Sequence, residues 1–347
     1  MGLAEIAQDE APDEFLYGLP QLQRRFGDVG LIEPGPERTV IDRLLRPFEL
    51  LTVRLGFGLF LSTSLSRFRV FQRAQTIIAT TDSTAMPVLL LKRWGLVRAD
   101  IVLISQGLHS FDERGLVRRW IRAQLGRCLG VAAGIVVLGE GDHAALCERF
   151  SEIRLPPIQM IQFGIDERFW SPAASTAVER RVLSVGSDAM RDYDTLLRAI
   201  GDLPLRLVTR MNLPQELLTP HVTVESKLTW PELRERYRAA AFVVTPIKDQ
   251  PRDSGHSATL QAMACGKAVI LSDTRGLWDR ENLRHGETCW LVPPGDPEAL
   301  REAIRFLWEH LDEAARIGAK ARALVERRCA STQFGEELAA FVETLRR

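Results

Sequence analysis

The fold of the second half of this chain is decided by residues 253–270, which read DSGHSATLQAMACGKAVI. The pattern predicts a polar loop, a short helix of small residues, a glycine stop and a buried strand. A helix that opens in a polar loop leaves its first backbone N–H groups unpaired, and its dipole adds partial positive charge there. Because Ser254, Gly255 and Ser257 carry no bulky side chain, an anion such as a diphosphate can approach closely.

Apolar runs of strand length alternate with helical segments through most of the chain, which predicts parallel sheets joined by crossover helices. The predicted strands lie near residues 76–80, 100–105, 134–138, 158–162, 182–185, 205–209, 222–225, 242–245, 268–272 and 290–292. Predicted helices cover residues 83–94, 115–129, 142–150 and 331–346, and others begin near Asp192, Pro231, Ser257 and Asp296. Asp296 is predicted to cap the last of these, with Pro297 at the first helical position. The small polar residues 171–177 predict a hinge linker between the two halves.

The composition is that of a globular protein, with 347 residues, 46% hydrophobic and 26% charged, and a formal net charge of zero. The length predicts two domains, and the zero net charge gives no field that favours nucleic acid. The five cysteines form no CxxC pair. They predict neither a zinc site nor a disulfide framework and agree with a reducing cytosol. Residues 1–14 lack the apolar core of a signal peptide, and no apolar run predicts a membrane span.

The opening stretch resembles the donor-site signature of retaining glycosyltransferases with the GT-B fold, of the family 4 type. That signature is a Glu, seven residues, and then Glu-Ala-Met-Ala-x-Gly-x-Pro-Val-Ile. Here Asp253 and Gln261 occupy the two acidic positions, and the residues after Gln261 reproduce most of the rest. Residues 161–169 and 292–300 are also similar to family segments. The resemblance covers residues 75–347 and is more specific in the second half.

The resemblance implies two Rossmann-like domains whose parallel sheets face each other across a cleft, with a C-terminal helix that crosses back to the first domain. We expect an acceptor-side domain at residues 1–170, a nucleotide-sugar donor domain at 171–330 and the crossing helix at 331–347. The family's first domain opens with a strand and a Gly-rich loop. Residues 15–22 resemble the helix after that loop, with no convincing strand before them, so the first strand is predicted to be short or missing.

The activity that the resemblance implies is transfer of a sugar from a nucleoside-diphosphate sugar to a glycan, a lipid-linked sugar or a metabolite, with retention. The nucleotide sugar is a co-substrate, and neither a metal nor another cofactor is expected. The alternative is a catalytically degenerate relative that binds nucleotide or serves as a partner subunit. Gln261 in place of Glu, Ser187 in place of a cation and the missing strand favour it. A nucleotide-sugar epimerase fits the Gln-Ala-Met-Ala run less well.

Two groups of residues are expected to hold the donor. Arg191, which follows Gly186, stands where the family has a phosphate-binding Lys, and a guanidinium can hold a diphosphate bidentately. Asp253 is expected to accept hydrogen bonds from the transferred sugar. Gln261 keeps one acceptor for the ribose hydroxyls but loses the charge, at a cost of about 1–2 kcal/mol.

Two histidines complete the predicted site. The resemblance places His109, after a predicted strand of the first domain, near the reacting carbon of the donor sugar. His256 is either a phosphate or sugar contact or an ordinary helix-start residue. Asp192 and Asp194 spell a DxD metal motif, but their place at a predicted helix start favours capping.

Residues 41–73 mix apolar residues with six arginines, and Phe48, Leu51, Leu55 and Leu59 fall on one predicted helical face. One interpretation is an interfacial helix that binds anionic lipid, which would give peripheral contact with the inner face of the membrane. The other is a core helix with a solvated basic edge. The expected location is otherwise cytoplasmic.

Overall fold

The computed structural model describes residues 6, 8–32, 40–54, 59–107, 116–173 and 179–346. The chain divides into two compact units. The larger unit comprises Met1–Gln21 and Gln162–Glu336, and the smaller unit comprises Leu22–Ile161 and Glu337–Arg347. This division differs from the predicted domains at the N-terminus, because the first 21 residues group with the second half of the chain. The reason is burial, since Glu14, Leu16 and Leu19 are each less than 9% exposed.

The smaller unit is built on a four-stranded parallel sheet in which the strands follow chain order. The strands are β1 (Thr76–Ala79), β2 (Asp100–Ser105), β3 (Gly134–Val137) and β4 (Ile158–Met160). The helices are α1 (Leu19–Phe26), which begins in the larger unit, α2 (Val40–Arg54), α3 (Leu61–Ser66), α4 (Phe68–Arg73), α5 (Asp82–Arg93), α6 (Leu116–Leu129) and α7 (Glu140–Arg149). Among the described residues no strand precedes β1.

The larger unit contains a six-stranded parallel sheet in the order β10-β9-β8-β5-β6-β7. These strands are β5 (Val182–Val185), β6 (Leu205–Val208), β7 (Val222–Glu225), β8 (Phe242–Thr245), β9 (Val269–Ser272) and β10 (Trp290–Val292). Every residue of β5, β8 and β9 is buried, as the central strands of a parallel sheet require. All ten predicted strands are therefore confirmed.

Among the described residues after Gln162, five α-helices lie within the larger unit, and a sixth begins in the larger unit and ends in the smaller one. They are α8 (Tyr193–Ala199), α9 (Trp230–Ala239), α10 (His256–Ala264), α11 (Pro297–Glu309), α12 (Leu311–Arg328) and α13 (Ser331–Leu345). The part of α13 after Glu336 belongs to the smaller unit. There a Cβ on Gly134, at the start of β3, would lie only 2.8 Å from Phe341 and 2.7 Å from Leu345, so the helix packs directly on the sheet.

The capping roles predicted for Asp192 and Asp296 are confirmed, whereas Asp194 does not cap the helix, because its carboxylate accepts from Arg198 Nε at 2.9 Å. Asp192 Oδ1 accepts from the Thr195 N–H at 3.3 Å, and Asp296 Oδ1 accepts from the N–H groups of Glu298 and Ala299 at 3.0 Å. Each carboxylate satisfies helix N–H groups that have no partner within the helix. In the part of the chain that the structure describes, no group of three or more His, Cys, Asp or Glu side chains could hold a metal ion.

The single helical face predicted for residues 48–59 is wrong at Leu59. Helix α2 ends at Arg54, Leu55 lies outside the described residues, and the Leu59 N–H donates to Thr52 Oγ1 at 2.9 Å. A continuous helix would separate these two residues by about 10 Å. Leu59 instead packs against the core of the smaller unit, whereas Phe48 and Leu51 are exposed. No described helix combines the length and apolar character that crossing a bilayer requires.

Candidate functional site

Two loops of the larger unit meet at the carboxyl ends of neighbouring strands β5 and β8. Arg191 and Ile247 form an antiparallel bridge between the loops. The Asp192 N–H donates to Pro246 O at 3.1 Å, and the Lys248 N–H donates to Met190 O at 2.9 Å. Ligands of open α/β sheets gather at this edge, where the strand order changes direction. The loops that were predicted to hold the donor are therefore adjacent.

Arg191 lies across Gly186 with its side chain buried. The residue is 5% exposed, and a Cβ on Gly186 would overlap its guanidinium, so a larger residue at position 186 would displace the arginine side chain. The Arg191 Nε lies 2.9 Å from Asp188 Oδ2, but Nη1 has no hydrogen-bond partner among the described residues. A buried charged donor without a partner is costly. An anion that contacted Nη1 would remove this cost.

The N-terminus of α10 opens beside the same guanidinium. Gly255 is the N-cap residue, with φ +82° and no side-chain cap on the first turn. A Cβ at this position would overlap Ile247 Cδ1 and would lie 3.4 Å from Arg191 Nη1. The first turn of α10 therefore starts close to the arginine, and one anion at this point can contact both the first-turn N–H groups and the guanidinium. The predicted residues Gly186, Arg191 and Gly255 thus come together.

Asp253 and His256 lie at the same helix start. Asp253 is 6% exposed, and its Oδ2 lies 4.0 Å from His256 Nε2. The His256 ring packs on Trp278, with 4.4 Å between ring centroids, and meets the edge of Phe163 at 6.4 Å. Its ring is therefore held by aromatic packing, whichever of its predicted roles is correct.

The remaining loop residues have modest contacts. Ser254 Oγ lies 3.5 Å from Asp188 Oδ1, and Ser257 is half-buried in the first turn of α10. Ser187, which replaces the family's second cation, is exposed and accepts a hydrogen bond from the Arg210 N–H at 2.9 Å. His109 lies outside the described residues.

Gln261 is 4% exposed, and both ends of its amide have partners. Its Oε1 accepts from the Tyr237 hydroxyl at 3.2 Å, and its Nε2 donates to Glu14 Oε1 at 3.0 Å. Glu14 was not predicted as a site residue. Burial raises the pKa of its carboxyl to about 8, against the lowering effect of hydrogen bonds from Gln261, Asp166 and Trp170. The only sequence signal was the missing acid at position 261.

Part of the chain matches a known family. Residues 179–310 match the model of the family described as "Glycosyl transferases group 1". The D-rhamnosyltransferase WbpZ of Pseudomonas aeruginosa is 41% identical over 64 residues, 18% of this chain and 16% of the relative. The D-inositol 3-phosphate glycosyltransferase 1 of Catenulispora acidiphila is 32% identical over 123 residues, 35% of this chain and 26% of the relative. The chain thus aligns with about a quarter or less of these relatives' lengths.

Solved structures match over nearly the whole chain. HepE from Anabaena, in complex with UDP and glucose, has a TM-score of 0.67 at 17% identity, with 99% of this chain and 96% of that chain covered. The likeness confirms the predicted fold class, an α/β protein with two parallel sheets of the GT-B type. The family model and the fold together support a GT-B glycosyltransferase.

Proposed function

We propose that this protein is a metal-independent, retaining glycosyltransferase of the family 4 type that uses a nucleoside-diphosphate sugar as donor. The observation that carries the proposal is the buried Arg191, whose Nη1 lacks a hydrogen-bond partner among the described residues and lies beside the first turn of α10, which has no side-chain cap from Gly255. A diphosphate supplies the oxygens that both groups need. The UDP in the HepE complex and the match to group 1 glycosyltransferases support this choice of anion.

The proposed chemistry assigns a role to each end of the site. Sugar transfer with retention builds negative charge on the departing diphosphate, which Arg191 and the amides of the first α10 turn would stabilise without a metal. The positive charge on the anomeric carbon would be balanced by Asp253, which also accepts from sugar hydroxyls. The role proposed for His109 rests on the resemblance alone.

The donor site is tested by thermal unfolding with UDP, GDP, ADP and TDP in the presence of EDTA. A nucleotide at about 100 times its dissociation constant stabilises the folded state by about 2.7 kcal/mol. Arg191→Ala should abolish the shift. The matched control is Arg198→Ala, since the Arg198 side chain is exposed and pairs with Asp194 in the preceding turn of α8. A shift that survives in Arg191→Ala, or is equally lost in Arg198→Ala, contradicts the assignment.

Turnover separates the enzyme from the degenerate alternative, which Gln261 and Ser187 still favour. Release of nucleotide from the matching donor should fall by at least about 100-fold in Asp253→Ala, a loss of about 2.7 kcal/mol in transition-state stabilisation. Asp249→Ala is the control, because Asp249 is exposed and pairs with Arg275. Binding of nucleotide without turnover in the wild-type chain would favour the degenerate relative. Equal transfer with and without EDTA supports the absence of a metal.

A second part of the proposal concerns the surface of α2 in the smaller unit. Val40, Leu44, Phe48 and Leu51 are 72%, 73%, 44% and 52% exposed, although they are large apolar residues. A cavity of about 380 Å³ opens beside them, and its lining is apolar: Ile41, Leu44, Leu45, Leu65 and Phe68. The same stretch of the chain, residues 41–73, carries six exposed arginines: Arg43, Arg46, Arg54, Arg67, Arg69 and Arg73.

This combination of apolar and cationic side chains fits the surface of an anionic membrane, where the apolar residues enter the interface and arginines meet the headgroups. Co-sedimentation should show binding to vesicles that contain anionic phosphatidylglycerol and not to neutral phosphatidylcholine vesicles. Arg43→Glu/Arg46→Glu should lose that binding, and Arg305→Glu, on exposed α11, should keep it. Equal binding by both variants would contradict a contact through α2.

A further inference from the structure

Glu14 joins the N-terminal segment of the larger unit to the rest of that unit through buried hydrogen bonds. Its carboxyl is 3% exposed and accepts from the Trp170 Nε1–H at 3.0 Å and from the Asp166 N–H at 3.1 Å. The neighbouring Phe15 packs on Trp230, with 5.4 Å between ring centroids. The hydrogen bond between Glu14 and Gln261 therefore lies in a buried cluster of hydrogen-bonded side chains.

The pairing dictates how the Gln261 amide is oriented. The Tyr237 hydroxyl donates to Oε1, so the NH₂ end faces Glu14, which can accept it. A glutamate at position 261 would instead set two carboxyl groups 3.0 Å apart in a site that excludes water. The presence of Glu14 thus explains why glutamine stands where the signature has an acid.

Only part of the hydrogen-bonding capacity of Gln261 is used in this way. An amide offers two N–H donors and two acceptor lone pairs, and Glu14 and Tyr237 take one of each. The other donor and acceptor have no hydrogen-bond partner among the described residues, and a pair of vicinal hydroxyls such as those of a ribose can use one of each. The directions of the second N–H and of the second lone pair on Oε1 are fixed, because the hydrogen bonds to Tyr237 and Glu14 fix the orientation of the amide.

We propose that Glu14 is a positioning residue of the donor site, which fixes the Gln261 amide so that its free donor and acceptor meet the nucleoside ribose. This inference rests on the proposed function, since it assigns Gln261 to a nucleotide. The carboxyl that the signature places at position 261 is supplied here by a segment that lies 247 residues earlier in the chain. The pair in this chain is therefore one amide at position 261 and one acid at position 14.

The acid at position 14 and the amide at position 261 can be swapped by mutation. The variants are Glu14→Gln, Gln261→Glu and the double variant that carries both changes, with Glu10→Gln as the control because Glu10 is exposed in the same segment. The measurements are the Kd for UDP, GDP, ADP and TDP by calorimetry and the Tm without nucleotide. The double variant restores one amide facing one carboxyl, so it keeps the test valid even where a single variant folds poorly.

We expect each single variant to weaken binding of the preferred nucleotide by about tenfold and the double variant to return within about threefold of the wild type. Glu10→Gln should leave Kd unchanged. An unchanged Kd in Glu14→Gln with only a lower Tm would overturn the inference and leave a structural role. Weak binding in the double variant would also overturn it. Failure of the wild-type chain to bind any of the four nucleotides would overturn the proposed function as well, which separates the two.

Discussion

Replacement of Glu14 by Gln should make the stability of the larger unit less dependent on pH. Burial raises the pKa of the Glu14 carboxyl from an ordinary value of 4.5 to about 8. Between these two values the folded chain holds a proton that the unfolded chain has released. Folding therefore takes up a proton, and the free energy of unfolding falls as pH rises through this window. The Glu14→Gln variant has no carboxyl at this position to titrate, so this fall in the free energy of unfolding is absent from it.

The size of the effect follows from the displacement of the pKa. A difference of about 3.5 units at about 1.4 kcal/mol per unit gives about 5 kcal/mol at full ionisation, which is an upper limit for a buried group that can relax. Relative to the wild type, Glu14→Gln should gain stability from pH 5 to about pH 8, and the difference should level off above that because the carboxyl has then ionised in the folded chain as well. At about 2 °C per kcal/mol the difference in Tm should grow by up to about 10 °C.

The assay is thermal unfolding of both chains at half-unit steps from pH 5 to pH 9 at constant ionic strength. Glu10→Gln serves as the control and should follow the wild type, because its side chain is solvated in the same segment. A difference in Tm between Glu14→Gln and wild type that stays constant across the range would refute the reasoning. So would a difference that shrinks as pH rises, which would mean that the buried carboxyl is stabilised in its ionised form.

Three further substitutions test other parts of the structure. Gly255→Ala should weaken nucleotide binding by about tenfold or more, because a Cβ there overlaps Ile247 Cδ1 and approaches Arg191. The control is Gly295→Ala, at φ +72° with open space around it, which should lower the free energy of unfolding by about 1 kcal/mol and leave binding unchanged. Asp296→Ala should lower the free energy of unfolding in urea by about 1 kcal/mol through the lost cap of α11, whereas Asp202→Ala in an exposed turn should not. Tyr237→Phe should destabilise the larger unit by about 1–2 kcal/mol, since it removes the hydroxyl that donates to the buried Gln261 Oε1, and an unchanged urea midpoint would contradict that hydrogen bond.

The sequence predicted the parts of the fold that depend on local pattern. Buried parallel strands must be apolar along their whole length, so runs such as residues 242–245 and 269–272 were identified correctly. Asp192 and Asp296 were recognised as caps because the capping residue and the N–H groups that it satisfies are within three positions of each other. These features need no knowledge of distant parts of the chain.

The contacts that the sequence could not predict join residues far apart in the chain. Glu14 and Gln261 are 247 residues apart, and nothing in the pattern around Glu14 marks it as a partner. Gly186, Arg191 and Gly255 are adjacent because β5 pairs with β8. Two strands intervene between β5 and β8 in the chain, so local pattern does not predict that pairing. Leu59 was misplaced because helical periodicity does not place its N–H within hydrogen-bond distance of Thr52 Oγ1.

The central claim is that a nucleoside diphosphate binds at Arg191 and the first turn of α10. Hydrogen–deuterium exchange with and without the preferred nucleotide tests it most directly, because it locates the amides that the ligand contacts. We predict slower exchange in peptides that cover residues 254–258 of the wild-type chain and no change in Arg191→Ala. Nucleotide binding that leaves exchange at residues 254–258 unaltered, or protects them equally in Arg191→Ala, would contradict the claim.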